Sequence, residues 1–166
     1  MFMPGDYIMY SNYGVCIVDE IKDKIIDNED KKIYILHPFN DNRSRIMTPT
    51  DNNRVKIRSI MTPEEAEEVF HAISNNNIIS ISNRKLREQA FIKIIKEGNP
   101  IELVWIINTL IIEESEKIAE GKKISATDRK YLEKAEKLLY LELSVSLNLE
   151  IDQIKDRFTN RLIEKI

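Results

Sequence analysis

The chain has 166 residues, 42% of them hydrophobic and 32% charged, which is the make-up of one or two small folded domains and excludes a disordered or fibrous chain. Its 28 acidic and 25 basic residues leave a formal net charge of -3. That balance excludes a general coat for nucleic acid but leaves room for a local basic face. Cys16 is the single cysteine, so an intrachain disulfide and a cysteine-built zinc site are excluded, and the residue reads as a small buried strand side chain. No apolar run approaches the ~20 residues of a membrane span. The N-terminus lacks the basic-then-apolar layout of a secretory signal, so the expected location is the cytoplasm, with no membrane partner.

Pro4, Gly5 and Asp6 punctuate the start of the first strand, in which Tyr7 and Met9 alternate with Ile8 and Tyr10. Ser11, Asn12 and Gly14 supply a turn into a second strand over residues 15–21. Strict alternation there puts Cys16, Val18 and Glu20 on one face, and Val15, Ile17, Asp19 and Ile21 on the other. Ile25 and Ile26, then residues 33–36, are β-branched runs divided by the acidic turn sequence 27–30. Residues 44–48 and 55–60 give two further short strands around Pro49 and the Asp51-Asn52-Asn53 cluster. Five or six short strands at close intervals predict a small, strongly bent barrel or sheet rather than a sandwich.

The hydrophobic period changes at Thr62, so a domain boundary is expected near Ile60. Thr62, Pro63 and Glu65 form a helix start: a cap, a first-position proline and a capping-box partner. Ala66, Val69, Phe70 and Ile73 form its apolar stripe, and residues 74–77 end it. An extended connector over residues 78–83 leads to a helix from Arg84, with Leu86, Ala90, Phe91, Ile94 and Ile95 as its stripe. The helix over residues 101–119 is apolar over most of three turns and is expected at the centre of a bundle. A fourth helix, long and amphipathic, is capped by Ser125 or Thr127, and a last one runs from about Glu150. The architecture is therefore α+β in two domains, a β module over residues 1–60 and an all-α bundle over 61–166.

Catalytic signatures are missing. His37 and His71 fall in different predicted domains, outside any metal-ligand spacing, and His71 with Glu67 reads as a surface pair. Four glycines in the whole chain form no phosphate loop, and no serine sits in a nucleophile elbow. An enzyme, a metal, a cofactor or a small-molecule substrate is therefore not expected. Binding is better supported. Arg84, Lys85, Arg87, Lys93 and Lys96 share one predicted helix, and Lys122, Lys123, Arg129 and Lys130 gather at the start of another. Both groups suit a DNA backbone; the alternative is an ordinary solvated helix face.

Several motifs occur in order: Gly5-Asp6-x-x-x-Tyr10 with Gly14-Val15, then Arg45-x-x-x-Pro49-x-Asp51-Asn52, then Leu86-Arg87-Glu88 with Lys96-x-Gly98 and Glu102-Leu103. The run from Lys134 to Leu139, followed by Glu142-Leu143 and Leu147-Asn148, completes them. The chain in this way resembles the CarD/CdnL family of bacterial proteins that bind RNA polymerase, whose first module also occurs in transcription-repair coupling factor. The resemblance implies a Tudor-like β-barrel that extends a sheet of the polymerase β subunit, and a helical domain on promoter DNA at the upstream edge of the melted region. It places the polymerase contact near Lys24, Arg43 and Arg45, with Met47 where an arginine is expected.

Family members carry a tryptophan wedge just before the basic helix, and Ser80 stands at that position here. Serine cannot wedge a base step, which leaves Ile79 or Ile81 as an aliphatic substitute. Trp105, inside the apolar helix, reads as core. The expected function is a non-enzymatic transcription regulator that modulates the open complex. The alternative is an adaptor that binds polymerase without productive DNA contact.

Overall fold

The computed structural model describes residues 1–75 and 77–163, apart from the side chains of Asn12 and Ile163. It divides into two compact units, Met1–Ile60 and Met61–Ile166, the first built from strands and the second from helices. No described helix is long and apolar enough to cross a membrane.

The first unit is one antiparallel sheet of β1 (Tyr7–Tyr10), β2 (Gly14–Ile26), β3 (Glu29–Pro38), β4 (Ile46–Pro49) and β5 (Ile57–Ser59), ordered β4-β3-β2-β1-β5. Among the described residues no ladder joins β4 to β5, so the sheet is open where the resemblance implies a closed barrel. Asp27 and Asn28 turn β2 into β3 with φ of 53° and 63°. Two successive left-handed residues match the right-handed twist of the strands, and Asp and Asn tolerate that conformation better than branched residues do.

Strict alternation fails in β2. The register steps from Val18 opposite Leu36 to Glu20 opposite Ile35, which leaves Asp19 as the extra residue of a bulge. The bulge resets the faces. Ile21 therefore packs with Cys16, Val18, Tyr34 and Leu36, and not with Val15 and Ile17. Ile8 and Tyr10 complete this core. Burial pushes the Cys16 thiol up to about 11, so it packs and is not a nucleophile.

The second unit contains α1 (Pro63–Ser74), α2 (Arg84–Glu97), α3 (Pro100–Ala119), α4 (Ala126–Leu147) and α5 (Ile151–Ile163). The capping box forms as the sequence predicts: Glu65 N–H donates to Thr62 Oγ1 (3.2 Å) and Thr62 N–H to the Glu65 carboxylate (2.8 Å). Ser125, and not Thr127, caps α4. Leu103, Val104, Ile106, Ile107 and Leu110 of α3 are fully buried, each stabilising the fold by about 1.5–3 kcal/mol. Trp105 is half-buried beside this core and not within it, with its indole Nε1 unpartnered. Glu142 of α4 is also fully buried. Its carboxylate accepts the Met61 N–H (2.9 Å) and so fixes the chain entering α1.

Helix α5 docks through Phe158, whose ring lies against Phe70 and Tyr140 (centroids 5.6 and 4.9 Å). Beside it, Arg157 donates twice to Glu67 (3.2 and 2.7 Å) and lies over the Phe70 ring. Glu67 therefore pairs with α5, where the sequence suggests His71. The hydrogen bond from Arg157 holds the Glu67 carboxyl below the usual range. A depressed folded value stabilises the protein above the unfolded value, and that contribution is lost as pH falls through the folded one. We expect the thermal midpoint of Glu67→Gln to fall less than that of the parent between pH 6 and pH 3 (about the window of a carboxylate). The difference should correspond to no more than ~1 kcal/mol, since the pair is half-exposed.

Candidate nucleic-acid and polymerase interfaces

The connector before α2 is held at one point. Ile79 N–H donates to Thr109 Oγ1 (2.8 Å), and the Ile79 side chain packs against the core. Ile79 is therefore not available as a wedge. Ser80 is exposed, Ile81 is half-buried and Ile78 points to solvent. Asn83 then caps α2 by accepting the Leu86 N–H (3.0 Å).

In α2 the inward stripe runs through Arg87, Phe91 and Ile95, not through Leu86, which is 56% exposed. A side chain four residues before Phe91 lies on its face, whereas one five residues before it is about 140° away. The Arg87 side chain is 19% exposed. It donates to Glu113 of α3 (2.8 Å), lies 3.8 Å from Asp128 of α4, and its guanidinium sits 5.0 Å from the Phe91 ring centre. Of the predicted DNA-binding cations, Arg87 is thus occupied within the bundle. Arg129 is paired with Glu114, and Lys122 lies 3.5 Å from Glu120.

Arg84, Lys85, Lys93, Lys123 and Lys130 are exposed, with no ion-pair partner among the described residues. Lys85, Gln89, Ile92 and Lys93 share the outer face of α2 with the neighbouring Leu86, so basic and aliphatic side chains stand together there. A cleft of about 460 Å³ opens where the start of α2, the end of α3 and the start of α4 meet, and it contains Lys117. Sequence reading missed Lys117, because a lysine in the last turn of a helix is fully explained by the helix dipole.

In the sheet, β4 is an outer strand. Thr50 N–H donates to Lys32 O (2.9 Å), so by alternation Thr48 and Thr50 face β3 while Arg45, Met47 and Pro49 turn their backbone outward. Met47 is 60% exposed, and Pro49 has no N–H to offer. Arg45 Nε lies 3.3 Å from Asp19 Oδ2, and Asp19 Oδ1 is hydrogen-bonded to His37 Nδ1 (2.7 Å). Arg43 has an exposed side chain, and its N–H donates to Asp41 Oδ1 (3.0 Å). The structure therefore groups Arg43, Arg45 and Met47 at one edge. It separates Lys24, which lies opposite Lys31 in the far part of the β2–β3 hairpin, beyond the end of β4 and two strands in. Among the described residues no cluster of His, Cys, Asp or Glu is placed to hold a metal.

A small sheet with an open β4 edge and a helical bundle that exposes Lys85 and Lys93 on α2 make up two modules. Residues 2–61 match the family model of the CarD-like/TRCF RID domain, and residues 68–159 that of the CarD C-terminal domain. The chain belongs to the CarD family, whose domains are regulatory: it is an RNA polymerase-interacting transcription regulator.

Proposed function

We propose that residues 1–60 dock on the β subunit of RNA polymerase by adding a strand to the β4 edge, and that residues 61–166 lay the outer face of α2 on promoter DNA just upstream of the melted region. The protein then sets the stability of the open complex, acting in the cytoplasm. The observation that carries this reading is the pair Lys85 and Lys93, exposed on the outer face of α2 with no ion-pair partner among the described residues, on a helix whose other face buries Phe91 and Ile95. The test measures retention of polymerase by the protein, and the lifetime of promoter complexes with and without it. Retention without any change in lifetime would remove the DNA half of the reading.

A second reading, a polymerase adaptor without productive DNA contact, is favoured by Ser80 and by the occupation of Arg87 and Arg129 in ion pairs. One substitution separates the two. Stacking of a base on an aromatic side chain is worth about 1–3 kcal/mol, so Ser80→Trp should lengthen the open-complex lifetime about tenfold. Lys85→Glu should weaken DNA association and lower its salt slope by about one phosphate contact. If neither changes promoter complexes while polymerase is still bound, the adaptor reading holds.

A further inference from the structure

The cleft at the head of the bundle differs from the open face of α2 in shape and in charge. Its volume of about 460 Å³ lies within the roughly 300–1,000 Å³ of small-molecule pockets, whereas a duplex needs a broad open surface. Arg84 of α2, Lys117 of α3 and Lys123 of the α3–α4 loop all line it, and none has an ion-pair partner among the described residues. Two carboxylates share its wall: Glu88, which accepts the Tyr131 hydroxyl (2.8 Å) and keeps its charge, and Asp128, which lies beside Arg87 (3.8 Å). Ser82, Ser125 and Thr127 add hydroxyl donors. Four cations, Arg84, Arg87, Lys117 and Lys123, against the two carboxylates Glu88 and Asp128 leave the lining with two net positive charges, which suits an anion carrying several charges.

We propose that this cleft binds clustered phosphate oxyanions, as found in the polyphosphate chain of a nucleotide or in adjacent backbone phosphates of nucleic acid. Lys117 and Lys123 act as point charges from two sides, and Arg84 supplies a planar fork of donors at the mouth. The site is separate from the outer face of α2, and it can stand or fall apart from the promoter function.

The probe is pyrophosphate, titrated into the full-length protein at low salt and followed by amide chemical shifts. We expect saturable one-site shifts at residues 82–87 and 123–128. The Lys117→Gln, Lys123→Gln double variant should weaken binding about tenfold or more, as expected for the loss of charge-assisted contacts. Lys134→Gln, Lys137→Gln, which removes two exposed charges elsewhere on α4, should leave it unchanged. Shifts that do not saturate, or that respond equally to both double variants, would overturn the proposal. Short duplex DNA and ATP are then added in separate arms. Displacement of pyrophosphate by DNA alone assigns the phosphates to nucleic acid, and displacement by ATP alone to a free nucleotide. Displacement by neither, with pyrophosphate bound elsewhere than residues 82–87 and 123–128, refutes the site. Neither arm uses polymerase, so failure here leaves the proposed function untouched.

Discussion

Met47→Pro should release RNA polymerase while leaving both units folded. The Met47 N–H faces away from β3, so proline removes no ladder hydrogen bond, and an outer strand tolerates it. A strand added to β4 would meet the backbone of Arg45 and Met47, then the lone carbonyl of Pro49. Deleting the Met47 N–H leaves a buried partner carbonyl unsatisfied, at about 1–3 kcal/mol, and places a ring in the path of the incoming chain. Retention of polymerase should fall by roughly ten- to a hundredfold. Met47→Ala keeps the N–H and should retain most of the binding. If proline at this position leaves retention intact while thermal unfolding is unchanged, docking uses a different surface, and the β5 edge is next to be tested.

How far the sequence foretold these surfaces depended on whether local chemistry alone decides them. The capping box at Thr62, the Asp27-Asn28 turn and the apolar α3 were legible because short-range sterics, hydrogen bonding and periodicity specify them. The bulge at Asp19 was not, since a single extra residue leaves no mark on alternation until the partner strand is known. Leu86 and Arg87 exchanged their expected places for a related reason. Hydrophobicity favours leucine inside, but Glu113 and Asp128 come from helices that are distant in sequence, and together they make a buried guanidinium acceptable. Glu142 was missed in the same way: the Met61 N–H that its buried carboxylate accepts is far off in sequence. The basic clusters were visible as composition, yet which of their members are free is a property of the folded surface.

Arg87 can be a phosphate ligand or a brace of the bundle, and the two roles predict opposite outcomes. As a phosphate ligand, Arg87→Ala would lower the salt slope of DNA binding and leave stability alone. As the brace joining α2 to α3 and α4, it should do the reverse. Truncation removes the charge between Glu113 and Asp128, whose side chains are 31% and 22% exposed, and uncovers one face of the Phe91 ring. Two partly buried carboxylates then lack their cation, at about 1–3 kcal/mol, below the 3–5 typical of a fully buried pair because water still reaches them. The unfolding midpoint of the helical unit should drop by roughly 4–8 °C per kcal/mol. Adding Glu113→Gln to Arg87→Ala should recover part of that loss, because it removes one of the two like charges, and the double-mutant cycle reads the coupling directly. Well below the midpoint, the salt slope for DNA should match the parent protein, whereas Lys85→Ala should lower that slope and leave the stability within about 0.5 kcal/mol of the parent. An unchanged midpoint with a reduced slope for Arg87→Ala would return Arg87 to the DNA face and dismiss the brace.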